Sequence, residues 1–103
     1  MPLVMQCIGS AAMPKILCDQ CGKAITAATD GNYLWSHAAG CEEGQTAPIA
    51  FTHKACCDAF ERTHGEPYAW GAMSLTALPY FLMRNLQLSW QETQASGRLM
   101  SRL

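Results

Sequence analysis

The stretch CDQCGK at residues 18–23 places two cysteines three positions apart, with a glycine directly after the second. Two chemistries use such a pair. A redox C-x-x-C lowers one thiol's pKa by opening a helix, but no helical pattern follows Gly22. A metal knuckle instead needs a tight turn that aims both sulfurs at one point, and glycine supplies the unusual φ for it. HKAC at 53–56 offers the other half: a histidine and a cysteine three apart share one face of a helix. Cys18, Cys21, His53 and Cys56 then form a three-thiolate, one-imidazole set. Four protein ligands leave no open position, so the expected cofactor is one structural zinc ion per chain.

Two rival ligand choices follow from the same residue types. His37 and Cys41 form H-x-x-x-C closer to the knuckle, but SHAAGCEEGQ lacks the apolar periodicity of a helix that would present them. Cys57 adjoins Cys56 but sits about 100° further round a helix, away from the face of His53. His64 reads as a favourable charge near a helix C-terminus. Cys7 and Cys57 read as small buried hydrophobes.

The bulk of the chain is consistent with a small metal-organised domain. It has 103 residues, six cysteines, half of its residues hydrophobic and a net charge of −1. Seven basic against eight acidic residues exclude a bulk electrostatic grip on nucleic acid. No stretch approaches the roughly 20 apolar residues that span a bilayer. MPLVMQCIGSAAM has no positively charged start of the kind an export signal needs, and residues 1–13 are expected to be a loose tail or a capping strand. The expected compartment is the cytoplasm, where reduced thiols favour metal binding over disulfides.

The elements that must hold the ligands are legible in outline. PKILCDQCGKAIT (14–26) predicts strand, turn and strand, and Tyr33-Leu34-Trp35 after the Asp30-Gly31 turn predicts another strand. Residues 37–47 read as a loop and PIAFT (48–52) as a strand. HKACCDAFERTHG predicts a helix from His53, with Thr52 as N-cap, Ala55, Cys56, Ala59, Phe60 and Thr63 on its apolar face, and a stop at Gly65 with Pro67 beyond. Residues 66–73 read as a connector with Trp70 packed. A helix begins near Thr76–Leu78 with Pro79 in its first turn, and Ser89 with Glu92 forms a capping box for a last helix. Leu78, Phe81, Leu82, Leu86 and Trp90 are expected to close the core over the metal module.

The knuckle CDQCGK, a hairpin, and HKAC opening a helix together resemble a treble-clef zinc finger, with an H-x-x-C spacing similar to the first half of a LIM-type module. The resemblance covers residues 16–64 and implies zinc on Cys18, Cys21, His53 and Cys56. The separation of Cys21 from His53 is longer than in LIM modules, and the second LIM zinc site is missing. The expected fold is therefore α+β: one domain over 1–103, made of a zinc-binding module (14–65) with a C-terminal helical hairpin (74–103) packed on it. The expected function is a protein-interaction module, binding another protein or itself as a homodimer, with no membrane contact. The alternative is a DNA-binding regulator using the last helices, where Arg84, Arg98 and Arg102 face Glu92 alone. No nucleophile–base pair is suggested by spacing, so no catalytic residue is assigned and the chain is not read as an enzyme.

Overall fold

The computed structural model describes residues 3–36, 44, 47–65 and 70–101. Within them the chain is mixed α/β, with two small antiparallel sheets and three α-helices. Strands β1 (Leu3–Ile8) and β2 (Ala11–Ile16) form a hairpin. Strand β3 (Gly31–Ser36) is the centre of a three-stranded sheet, flanked by β4 (Ile49–His53) and β5 (Trp70–Ser74). Helix α1 (Cys57–His64) follows β4, and α2 (Leu78–Asn85) and α3 (Trp90–Ser101) end the chain. No helix among the described residues is long and apolar enough to cross a membrane.

The N-terminal segment takes the strand alternative. Gly9, at φ +62°, and Ser10 make the two-residue connection that reverses the chain, with Ile8 opposite Ala11. Pro14 lies within β2, which is tolerated because a two-stranded sheet leaves every strand an open edge.

Side chains alternate across β3, so the sheet separates two thin cores. Tyr33 and Phe51 are cross-strand neighbours on one face, where Cys18, Ile25 and Leu75 are buried with them and Ile16, Trp35, Cys56 and Leu78 pack around. Leu34 and Ala50 are neighbours on the other face, where they meet Cys57 and Phe60 of α1, with Trp70 alongside. Leu34 is fully buried. A side chain of that size contributes roughly 1.5–3 kcal/mol when removed from water.

Three expectations change. The helix after β4 starts at Cys57, because residues 54–56 form a 3-10 turn and His53 remains extended at φ −61°, ψ 149°. Thr52 is consequently no N-cap: it is a buried strand residue whose hydroxyl has no partner among the described residues, and the buried positions of α1 are Cys57 and Phe60. Residues 70–74 are a strand. Gly71 and Ala72 conceal it in the sequence, and pairing with β3 creates it. The core is closed by Leu75, planted by the 3-10 turn at 75–77, with Leu78 half-buried beside it. Phe81, Leu82, Leu86 and Trp90 are exposed and do not close a core over residues 14–65. Pro67 lies outside the described residues, while the stop at Gly65, Pro79 in the first turn of α2 and the Ser89 cap of Glu92 (3.0 Å) all stand.

Two glycines in this framework should respond oppositely to alanine. A Cβ at Gly31 would overlap Leu75 Cδ1 and come within 2.8 Å of Ile25 Cγ2, both in the first core. Gly31→Ala is expected to lose about 1–3 kcal/mol through overpacking. Gly97 in α3 has nothing within 4 Å of that position, so Gly97→Ala should raise helix content without loss of stability, by up to about 1 kcal/mol in local propensity. Urea denaturation and circular dichroism of the two variants read both signs.

Candidate metal centre

The knuckle is built by backbone hydrogen bonds. Leu17 and Ala24 form an isolated antiparallel bridge, and Ile25 N–H donates to Ile16 O at 2.8 Å. Inside that bridge Cys18 N–H donates to Lys23 O and Gly22 N–H donates to Cys18 O, both at 2.8 Å. Gly22 closes the turn at φ +78°, a left-handed conformation that costs glycine least.

Asp19, between the two cysteines, fastens this turn to the sheet. Its N–H donates to Phe51 O at 2.7 Å, and its carboxylate accepts from Phe51 N–H at 2.8 Å. β4 is an edge strand, so the outward-facing peptide groups of Phe51 are free for such a reciprocal bond. Phe51 is two residues before His53, and the clamp therefore fixes the knuckle opposite the second half of the site.

The four residues converge. The sulfurs of Cys18, Cys21 and Cys56 and a ring nitrogen of His53 all lie within 4.8 Å of one another, and Cys21 Sγ is 3.4 Å from His53 Nδ1. A tetrahedron with ordinary zinc–sulfur and zinc–nitrogen bonds has S···S edges of about 3.8 Å and S···N edges of about 3.5 Å. The Cys21–His53 separation matches such an edge, and the donor set could hold a metal ion. His53 Nε2 is 3.2 Å from the carbonyl of Ala24. A carbonyl only accepts, so Nε2 carries the proton and Nδ1 presents its lone pair to the cluster, the arrangement expected of an oriented histidine ligand.

The electrostatics point the same way. Burial alone pushes the Cys18 thiol up, but N–H groups of Cys21, His53 and Gln20 and the His53 side chain outweigh it and bring its pKa down to about 6. The N–H groups of Cys21 and His53 stand 3.5 and 3.4 Å from Cys18 Sγ. Burial, and then the neighbouring Cys18 and Cys21, push Cys56 up to about 11. One thiolate is welcomed and the next is resisted, which is the situation a dication relieves. Cys18 is buried and Cys21 exposed, and the outer side of the cluster opens into a depression of about 580 Å³ flanked by Lys23, Lys54 and Asp30.

The remaining candidates fall elsewhere. Cys57 belongs to the opposite core, with its thiol 4.0 Å from Glu61 Oε1, so the sheet itself separates it from Cys56. His64 is exposed and its ring lies 4.3 Å from that of Phe60. Cys7 is exposed on β1, and so is not the buried hydrophobe expected of it. His37 and Cys41 lie outside the described residues. Sequence reasoning missed Asp19 and the Ala24 carbonyl. No local sequence signal announces Asp19, since its backbone partner Phe51 lies thirty-two positions away. Comparison with protein-family models, with curated proteins and with solved structures gives no match.

Asp19 yields a direct test. Asp19→Ala strands the Phe51 N–H and should cost about 1–2 kcal/mol, the lower part of the range for charged acceptors because the side chain is exposed. It should also loosen the metal in competition with a chromophoric chelator. Asp19→Asn keeps an acceptor oxygen and should retain more than half of both. Equal behaviour of Asp19→Ala and the unmodified chain in both measurements would remove the clamp from the account.

Proposed function

We propose that this chain binds one structural zinc ion through Cys18, Cys21, His53 and Cys56 in a treble-clef-like arrangement, and that it serves as a protein-interaction module in a reducing compartment, the cytoplasm. The observation that carries the metal reading is the convergence of three sulfurs and one ring nitrogen, from two separate segments, within 4.8 Å. Thiolates with one imidazole in a tetrahedral set suit zinc, and the filled coordination leaves no place for a substrate. The order of knuckle, β3–β4 hairpin and helix supports the treble-clef comparison. The α1 helix starts one residue after Cys56, so the turn at 54–56, not the helix, presents that ligand.

Binding to a protein is favoured over binding to DNA by the C-terminal elements. Among the described residues Arg84 and Arg98 are their only cations, a thin phosphate footprint. The guanidinium of Arg84 donates to Tyr80 Oη at 3.1 Å and sits 5.8 Å from the centre of that ring. Exposed apolar side chains dominate the same region, as an interaction surface requires.

Elemental analysis of protein made without chelator should give one zinc per chain. Cys56→Ser should lose stoichiometric zinc, while Cys57→Ser and Cys41→Ser should retain it. A strong chelator should unfold residues 16–64, since a closed site contributes on the order of 10 kcal/mol of apparent folding free energy, followed by circular dichroism. Metal lost from Cys57→Ser or Cys41→Ser but kept by Cys56→Ser would overturn the ligand assignment. An unchanged melting temperature after metal removal would overturn the structural role.

A further inference from the structure

On α2, Leu78, Phe81, Leu82 and Asn85 share one face by the helical period, and Leu86 continues it at the helix end. The first member of this stripe packs in the core beside Leu75. The rest leaves the fold: Phe81 is 40% exposed, Leu82 48%, Leu86 70%, and Trp90 at the start of α3 is 61% exposed. A stripe that begins inside the fold and runs out into water is a half-covered amphipathic face. No charged residue occurs between Trp70 and Met83. Tyr80 and Arg84, paired with each other, lie on the opposite flank of the helix.

We propose that this stripe is the contact surface of a homodimer, its occupant being the same stripe of a second copy packed about a two-fold axis. The proposal deepens the protein-interaction reading by naming the partner. Area supports it. Phe81, Leu82, Leu86 and Trp90 leave on the order of 400 Å² of side chain uncovered, taking about 150–250 Å² for each large side chain. A standard interface takes about 800 Å² from each partner, so these side chains supply about half and the flanking parts of α2 and α3 can supply the rest. Shape supports it too. The radius of gyration is 15.5 Å, against about 13 Å for a compact chain of this length. With a net charge of −1 two copies repel each other little, and an uncharged stripe is complementary to itself, as an isologous contact requires.

The test is sedimentation velocity of the full-length chain under reductant, from 1 to 200 µM, with zinc measured in the same samples. A concentration-dependent dimer is expected. The double substitution Leu82→Glu with Leu86→Glu, at exposed positions, should weaken self-association at least tenfold while leaving zinc content and far-ultraviolet circular dichroism unchanged. Met5→Glu, on the exposed face of β1, should leave the dimer intact. Amide exchange of residues 78–90 should slow as concentration rises, a readout that needs no variant. A chain that stays monomeric at 200 µM would overturn the proposal. So would a dimer unaffected by the α2 substitutions, one abolished by Met5→Glu, or faster-exchanging amides in 78–90 at high concentration. Zinc-free protein that still dimerises through α2 would refute the metal reading and leave the dimer standing.

Discussion

The reciprocal pair of hydrogen bonds between Asp19 and Phe51 joins the two halves of this molecule. The knuckle is a local turn and could form at many angles to the sheet. By taking both peptide groups of one edge-strand residue, Asp19 leaves it a single register. The register then brings the N–H of His53 to Cys18 Sγ and the His53 ring to Cys21. It also lays Ile16 and Ile25, on either side of the knuckle, against Tyr33 and Phe51. Ligand geometry and the packing of the first core therefore derive from one contact, and a metal ion would lock what that contact has already aligned.

A metal is physically apt here because neither core is thick. The sheet has to bury two faces with a handful of side chains, Tyr33, Phe51, Leu75, Ile25 and Cys18 on one and Leu34, Ala50, Cys57 and Phe60 on the other. A chain of this size buries proportionally little of its surface, and small domains commonly add a metal or a cross-link to compensate. The Cys56-Cys57 pair shows how economical the arrangement is. The 3-10 turn at 54–56 ends as α1 begins, so the first thiol faces the cluster and the second enters the opposite core. Two identical side chains in sequence thereby serve a Cys/His cluster able to hold a metal and an apolar layer.

The cluster of possible ligands was legible because cysteine and histidine are scarce and their spacing carries geometry. C-x-x-C with a following glycine and H-x-x-C after a strand were enough to nominate Cys18, Cys21, His53 and Cys56. The helix face that the H-x-x-C spacing suggests is not what unites the second pair: the end of β4 and a 3-10 turn bring His53 and Cys56 together. β5 was hidden because Trp70-Gly71-Ala72-Met73-Ser74 has little strand propensity of its own and owes its conformation to pairing with β3. Asp19 was hidden because its partners are backbone groups thirty-two positions away, which no local pattern announces. Leu75 was hidden because it precedes the helical period that drew attention to Leu78, Phe81 and Leu82.

That last displacement has consequences for the whole surface. Once Leu75 fills the core, the side chains that the helical period marks as apolar have nothing left to cover within the described chain. Ordinary surfaces carry scattered apolar residues without consequence, but Phe81, Leu82 and Leu86 recur on one face of α2, and Trp90 at the start of α3 is exposed as well. The stripe is also anchored at a rigid end, because Leu78 and the turn at 75–77 hold the start of α2 against the sheet beside Gly31. If the proposed dimer forms, a helical, uncharged ridge would present its contact area without first having to be ordered, and pre-organisation of that kind lets a modest area yield specific association. The Cys/His cluster and the ridge are thus linked through the first core: the Asp19 clamp aligns the knuckle on β4, the aligned knuckle packs Ile16 and Ile25 into the layer that holds Leu75, and α2 leaves the fold from Leu78 beside it.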